Sequence, residues 1–276
     1  TPKPSSAASD VYKRQVDGVI LDLRSNGGGG LDEAISMAGL FIGHNPVVIV
    51  RQSGGRRVTV HRSRERVVYG GPLLIMLNRY SASASEILAG AMHDYQRAIL
   101  AGDTTTFGKG TVQNIFQLPE GYGALKVTIA QFYRVSGWST QNRGVETSLV
   151  LPSLNNAREI GESTLDNALP WRSIDPVSYP VSGNLKKIIP ELRQLSKNRI
   201  ANSDFFQKVN EDVQEYLTNI KPLEYTSILK MQQDDQRRND QRDQELANAT
   251  EKDVEDVSAD TCLLYTSPSP RDLSTS

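Results

Sequence analysis

A short apolar strand that runs into four consecutive glycines and then into a helix constrains the fold of this chain most. Val16–Leu23 (VDGVILDL) is apolar and β-branched, which is typical of a buried strand. Gly27–Gly30 follows in a turn, and Leu31–Ile42 then repeats apolar residues at helical spacing. A strand–loop–helix unit of this kind predicts an α/β arrangement.

Strands and helices continue to alternate as far as residue 155. The other predicted elements of this part are strands at 46–51, 72–78, 98–101 and 125–133, a hairpin through 54–55 and a helix at 84–96. This order favours an α/β core with a largely parallel sheet. Beyond it, Asn184–Ile200 and Ser203–Ile220 have the spacing of amphipathic helices, the second with Ser203 as N-cap. Asp234–Asp260 is very polar and is either a solvated helix or disordered; its lack of Pro and Gly favours the helix.

The charge balance excludes some classes of function. The 276 residues carry a formal net charge of −1, so no nucleic-acid partner and no attraction to an anionic membrane surface is expected. No apolar run approaches the ~20 residues that span a bilayer. Other forms of membrane association are left open.

The two ends of the chain are related at the level of DNA. Asp10–Gln15 (DVYKRQ) can be encoded by GAT GTG TAT AAG AGA CAG, whose reverse complement in another frame encodes the CLLYTS of Cys262–Ser267. One adapter present at both ends would produce both segments, so we expect residues 1–15 and 262–276 to be foreign to the protein. The only cysteine, Cys262, would then belong to a foreign end, which leaves no disulfide or thiolate chemistry elsewhere.

The segment Asn78–Ala91 (NRYSASASEILAGA) carries the first candidate for chemistry. A buried strand enters a turn of small residues and then a helix, whose first N–H groups have no acceptor within the helix. A serine at this junction can act as a nucleophile beside its own oxyanion donor. The alternative, which this segment alone favours, is that Ser81, Ser83 and Ser85 only cap the helix.

Lys109 lies between two glycines in Gly102–Gln113 (GDTTTFGKGTVQ). A buried lysine can act as a neutral amine and take the proton of a serine hydroxyl. Gln113 follows four residues later, a spacing that places both side chains on one face of a strand or of a helix. The alternative is a solvated lysine in a surface turn.

The positions of the histidines and of the run Gly27–Gly30 argue against a Ser–His–Asp triad, a metal site and a phosphate loop. His93 lies ten residues beyond Ser83 on the same predicted helix, about 15 Å along its axis, and His44 and His61 lie in loop or hairpin contexts. A Ser–His–Asp triad is therefore not expected. No group of residues has metal-ligand spacing, so no catalytic metal or other cofactor is predicted. Gly27–Gly30 lacks the lysine and Ser/Thr of a phosphate loop, but its amides could form half of an oxyanion hole.

Four motifs, in this order and spacing, resemble the tail-specific, or C-terminal processing, protease family. They are DLRSNGGG at 22–29, SASASEILAGAM at 81–92, FGKGTVQ at 107–113, and LKVTIAQFYRVSG with RGVE at 125–146. The resemblance covers about Val16–Ser153 and implies a crotonase-like α/β catalytic core over residues 16–155. GESTLDNALPWRSI at 161–174 and the tail after it resemble the C-terminal extension of the bacterial periplasmic branch, which implies a helical extension over 156–261.

The resemblance also implies site residues. The family's nucleophile corresponds to Ser83 and its general base to Lys109. Its supporting glutamine corresponds to Gln113, and its oxyanion donors to the amides of Ala84 and of Gly28 or Gly29. The aspartate implicated in activity in the periplasmic branch corresponds to Asp94. Because Asp94 lies eleven residues beyond Ser83, about 16 Å along the helix, we expect it to support the fold or the site rather than to move a proton. The loop before Lys109 is one residue longer than the family's usual loop.

The implied activity is that of a serine endopeptidase that degrades or processes proteins with apolar C-terminal tails, held partly by strand addition. A periplasmic location and a PDZ domain ahead of this segment are implied as well. The chain contains no such domain, which leaves open whether it cleaves alone and whether an adaptor protein takes part.

Two alternatives to the protease are kept. A crotonase-like acyl-transfer or hydration enzyme would use paired backbone amides without depending on Ser83 or Lys109. A non-catalytic scaffold would leave Lys109 exposed and far from Ser83.

Overall fold

The computed structural model describes residues 16–55, 57–218, 236, 237 and 241. The chain divides into two units, Thr1–Asn219 and Ile220–Ser276, and every element below belongs to the first. The predicted foreign ends lie outside the described residues, as does the polar segment 234–260 apart from three helical positions.

Eight strands and four α-helices make up the described part of this unit. The strands are β1 (Val19–Asp22), β2 (Pro46–Gln52), β3 (Val58–Arg62), β4 (Leu73–Leu77), β5 (Ile99–Gly102), β6 (Thr111–Gln117), β7 (Ala124–Tyr133) and β8 (Leu149–Val150). The helices are α1 (Leu31–Ile42), α2 (Ala84–Asp94), α3 (Leu185–Ala201) and α4 (Asp204–Thr218). Among the described residues, no helix is long and apolar enough to cross a bilayer.

The strands form two sheets of four. The first has the order β1-β4-β5-β8 and all of its pairs are parallel. The second has the order β3-β2-β7-β6 and all of its pairs are antiparallel. Because β1, β4 and β5 are parallel neighbours, the loops that follow them leave the first sheet at one edge.

The core surrounds the first two helices and is formed with them by the parallel sheet and by β2 and β7 of the second sheet. Helix α1 buries Ala34, Ile35, Ala38 and Ile42, which lie on one face at helical spacing. Helix α2 buries every residue from Ser85 to Met92, as a helix in the interior does. The start of α2 is therefore held from several sides. Neither α3 nor α4 has a buried residue.

The predicted α/β class with a helical extension is confirmed, but the sheet prediction was wrong in part. Helix α1 has the predicted bounds, whereas the strand expected at 16–23 is shortened to β1. Only four of the eight described strands form a parallel sheet. The other four belong to two hairpins, which form an antiparallel sheet. One is the predicted turn at 54–55. The other joins β6, which was not predicted as a strand, to β7.

Candidate active site

Three loops meet at the carboxyl edge of the parallel sheet. Residues 23–30 follow β1, residues 78–83 follow β4, and residues 103–110 follow β5. Backbone hydrogen bonds join them: the Ala82 amide donates to Asn26 O at 3.0 Å, and the Phe107 amide donates to Ser81 O at 3.0 Å. Ligands of open α/β sheets bind at this edge.

Ser83 occupies a strained turn at the start of α2. Its φ is 57° and its ψ is −114°, a region that residues with a side chain rarely adopt. A sharp turn between a strand and a helix also exposes the nucleophilic hydroxyl of α/β-hydrolases. Ala84 is the first residue of α2, so its N–H has no acceptor within the helix, as an oxyanion donor requires.

The loop 23–30, here called the glycine loop, passes directly against the turn at Ser83. Gly28 has a φ of 103°, and a Cβ at this position would lie 2.8 Å from Ala82 O, from Ala84 N and from the Cβ of Ser83. Only glycine fits in that space.

Asn26 fixes the orientation of the glycine loop. Its Oδ1 accepts the Gly28 amide at 2.9 Å and the Ser85 hydroxyl at 3.0 Å. The Gly28 amide is thus already engaged, whereas the Gly29 amide binds no acceptor among the described residues.

Lys109 is half-buried at the end of the third loop. Its Nζ donates to Oε1 of Gln113, on β6, at 3.2 Å. Its carbonyl accepts the Thr140 hydroxyl at 3.1 Å. In the part of the chain that the structure describes, Lys109 Nζ forms no hydrogen bond with Ser83 Oγ.

Glu86, which was not predicted from the sequence, joins the turn at Ser83 to the loop 103–110 that carries Lys109, here called the lysine loop. Its Oε2 accepts the backbone N–H of Ser83 at 2.8 Å and that of Lys109 at 2.9 Å. Its Oε1 accepts the Gly108 amide at 2.7 Å and the Thr106 hydroxyl at 2.6 Å. With the side chain fully buried at 0% exposure, one carboxylate holds both segments in register.

Burial raises the pKa of Glu86 to about 7, against the lowering effect of its four donors. A signal for part of this arrangement is present in the sequence, because Ser83-x-x-Glu86 has the spacing of a capping box. The spacing indicates the bond to the Ser83 amide but not the bonds to the lysine loop.

Asp94 lies at the far end of α2, where it pairs with Arg134. Arg134 Nε donates to Asp94 Oδ2 at 3.2 Å, and the Ser136 hydroxyl donates to the same oxygen at 3.0 Å. Burial acts to raise the pKa of Asp94, but the His93 ring and the Arg134 guanidinium together hold it below its usual value. These contacts tie α2 to the segment after β7.

The structure thus separates the predicted residues into two groups. The loops at one edge of the parallel sheet bring together Ser83, Ala84, Gly28, Gly29 and Lys109, and Gln113 on β6 is hydrogen-bonded to Lys109. Asp94 is at the opposite end of α2 from Ser83. Among the described residues, no group of three or more His, Cys, Asp or Glu side chains could hold a metal ion.

Sequence comparison identifies the family. Residues 3–151 match the model described as peptidase family S41, and residues 155–268 match the one described as the C-terminal domain of tail specific protease. The chain belongs to peptidase family S41. The family resemblance of its four motifs is therefore confirmed.

Curated relatives of this S41 chain carry related names. The tail-specific protease of Haemophilus influenzae is 43% identical over 214 residues, which are 74% of this chain and 30% of that protein. The carboxy-terminal-processing protease of Bartonella bacilliformis is 41% identical over 146 residues, 52% of this chain and 33% of that protein. The S41 chain therefore spans about a third of these relatives.

Among solved structures, the photosystem II D1 C-terminal processing protease is similar to the S41 chain. It is 33% identical, with a TM-score of 0.46, over 52% of this chain and 37% of that one.

Proposed function

We propose that Ser83 and Lys109 form a catalytic dyad with which the complete protein hydrolyses peptide bonds. The observation that supports this most is that Glu86 Oε2 accepts the backbone N–H of both residues. Because one oxygen atom binds both amides, the two backbones are neighbours, as a dyad formed by these two side chains requires.

In the proposed mechanism, the neutral amine of Lys109 takes the proton of Ser83, and the Ser83 oxygen attacks the scissile carbonyl. Lys109 then returns the proton to the leaving amine, and water hydrolyses the acyl-enzyme with Lys109 again as base. Gln113 orients Lys109 Nζ through the hydrogen bond described above. The proposal requires Nζ to approach Ser83 Oγ when substrate is bound, since catalytic hydrogen bonds often tighten only in the substrate complex.

The developing oxyanion would be bound by two backbone amides. The amide of Ala84, at the first position of α2, is one of them. Of the two glycines considered for the second, Gly29 is favoured, because the Gly28 amide already donates to Asn26. Gly28 would instead permit the close approach of the loop to Ser83.

Substrates are proposed to be proteins with apolar C-terminal tails, cleaved in the periplasm. The names of the relatives, tail-specific and carboxy-terminal-processing protease, support a substrate recognised at its C-terminal tail, and the apolar character of the tail rests on the family resemblance. The periplasmic location rests on the family resemblance. Strand β6 begins two residues after Lys109, forms an edge of the second sheet and exposes Ile115 and Phe116. An extended apolar peptide could pair with such an edge beside the dyad.

The test uses a chimera in which the N-terminal part of the Haemophilus influenzae relative precedes Val16. Its substrates are one folded protein with an apolar C-terminal tail and the same protein with a charged tail. We expect the apolar tail to direct cleavage, and we expect Ser83→Ala and Lys109→Ala each to slow it by about a thousandfold or more. Undiminished cleavage by both variants would rule out the dyad and would favour an enzyme that needs only the backbone amides.

A further inference from the structure

A cavity of about 320 Å³ lies on the antiparallel sheet. Its walls are the turn at 52–55 between β2 and β3, residues 128, 130 and 131 of β7, and residues 169, 170 and 172 of the segment 169–172. Nothing in the mechanism above uses this cavity. We call it the arginine pocket, after Arg51 and Arg172, which both line it.

The charge of the arginine pocket is of one sign. Of the residues that the structure describes, no Asp or Glu lines it, and neither guanidinium has an ion pair or a side-chain hydrogen bond with any of them. The Arg51 guanidinium lies against the turn, since a Cβ on Gly55 would be 3.0 Å from Arg51 Nη2. Gly55 has a φ of 72°, and because it has no side chain, it leaves room beside the turn for this guanidinium. Two arginines that line one cavity favour an anionic ligand.

One wall of the arginine pocket is linked to Lys109 through side chains. Thr128, in this wall, pairs in register with Gln113 on β6. Gln113 Nε2 donates to the Thr128 hydroxyl at 3.5 Å, while Gln113 Oε1 accepts Lys109 Nζ at 3.2 Å. A single side chain therefore separates this wall from the proposed general base.

A second wall is fixed to the lysine loop through the backbone. Asn142 donates its side-chain amide to Leu169 O at 3.0 Å, and its backbone N–H donates to Gly108 O at 2.7 Å. Trp171 Nε1 donates to Ser139 O at 2.9 Å. The segment 169–172 thus keeps a defined position relative to the loop that carries Lys109.

We propose that the arginine pocket is a subsite that binds a carboxylate of the polypeptide substrate whose scissile bond lies at Ser83. This inference rests on the proposed function, because it assigns the ligand to the same peptide. The carboxylate is either the terminal one or that of an Asp or Glu side chain, and a guanidinium binds both in the same bidentate way. Residues 128–131 fall in the part that matches the S41 model and 169–172 in the part that matches the C-terminal domain, so the subsite combines both.

Binding of three fluorescent peptides to the 276-residue chain tests this proposal. All share one apolar sequence: the first ends in a free carboxylate, the second is amidated, and the third is amidated but contains one Asp. Anisotropy titrations use Ser83→Ala protein throughout, so that no peptide is cleaved. We expect at least one carboxylate peptide to bind about tenfold or more tightly than the neutral one, and the preferred peptide identifies the source of the carboxylate. Equal affinities for all three, or no binding of any, would overturn the proposal.

Variants in the same Ser83→Ala protein assign the effect to the pocket. Arg172→Gln, at an exposed side chain, should remove most of the preference for the carboxylate peptide. Arg51→Lys should reduce this preference by about threefold, because lysine keeps the positive charge but cannot form the bidentate hydrogen bonds of a guanidinium. Arg57→Gln is the matched control, since Arg57 is exposed and does not line the pocket. Full preference in Arg172→Gln, or an equal loss in Arg57→Gln, would contradict the assignment.

Thermal denaturation of each variant separates misfolding from loss of binding. The anisotropy assay does not depend on cleavage, so a failure of the subsite and a failure of the proposed dyad give different results. The first appears as equal peptide affinities, and the second as undiminished cleavage by the Ser83→Ala and Lys109→Ala chimeras.

Discussion

The carboxylate of Glu86 accepts the backbone N–H of Ser83, three residues before it, at 2.8 Å. The same oxygen accepts the Lys109 amide at 2.9 Å, so the turn of the proposed nucleophile and the loop of the proposed base share one acceptor. Neither segment can shift without breaking a hydrogen bond to a fully buried group. Glu86 is therefore a positioning residue, and its chemistry can be probed without touching the dyad.

Glu86→Gln should disturb both segments at once. The glutamine NH₂ would face backbone N–H groups that cannot accept a hydrogen bond, which leaves buried donors unsatisfied. We expect the free energy of unfolding to fall by about 1–3 kcal/mol and cleavage to slow by about a hundredfold. Urea denaturation and peptide cleavage measure the two effects. Glu120→Gln, at an exposed site, is the control and should change stability by less than about 0.5 kcal/mol. Wild-type behaviour of Glu86→Gln would remove Glu86 from this role.

The buried carboxylate should also leave a signature in the pH dependence of stability. The pKa of Glu86 is about 7 in the folded chain against an ordinary 4.5, so the folded state binds more protons than the unfolded state between these values. The contribution of Glu86 is complete below pH 4.5 and is lost as the pH rises through about 7. It amounts to about 3 kcal/mol at ~1.4 kcal/mol per pKa unit.

Comparison with a non-titrating residue isolates this contribution. Across that pH range, the free energy of unfolding of the wild type should fall more steeply than that of Glu86→Gln. Parallel curves for the two proteins would show that Glu86 does not titrate in this window.

Gly28→Ala should disable the site by displacing the glycine loop. The new Cβ would lie 2.8 Å from Ala82 O and from Ala84 N, and the φ of 103° is unfavourable for alanine. We expect cleavage to slow by about a hundredfold or more, as when an oxyanion donor is lost. Gly27→Ala is the matched control, because its Cβ would meet nothing within 4 Å. Similar rates for the two variants would argue against a role of this loop in catalysis.

Asp94→Asn should act mainly on stability. The Asp94–Arg134 pair is largely buried, with side-chain exposures of 5% and 13%, and removing one charge leaves the other without its partner. We expect a loss of about 3 kcal/mol in the free energy of unfolding. A double-mutant cycle with Arg134→Met should show non-additive losses. If Asp94→Asn abolished cleavage in a fully stable protein, Asp94 would have to act on the reaction more directly.

The segments proposed to be catalytic were predictable as structural elements because each is local. A strand, a turn of small residues and a helix follow one another around Ser83, and helical spacing marks α1 within its observed bounds. The bonds from Glu86 to the lysine loop were not predictable, since Gly108 and Lys109 approach it only because β4 and β5 are neighbours. The pattern of residues along one segment does not show which strands are neighbours in a sheet.

The arginine pocket was missed for the same reason. Arg51 lies at the end of a buried strand and Arg172 in an irregular segment, and neither position is unusual by itself. Only the tertiary structure brings them to one cavity. The second sheet was also hidden, because the strand pattern of β6 is weak and most of its residues are exposed.

The rate at which a fluorophosphonate probe labels Ser83 tests the dyad most directly, because labelling needs an activated serine and no particular peptide. Mass spectrometry of the chimera would locate the label, and rates would be compared between the wild type and Lys109→Ala. We predict labelling at Ser83 in the wild type and a rate lower by about a hundredfold or more in Lys109→Ala, since an unassisted hydroxyl is a weak nucleophile. Equal rates in the two proteins, or a label on another serine, would contradict the assignment of Ser83 and Lys109.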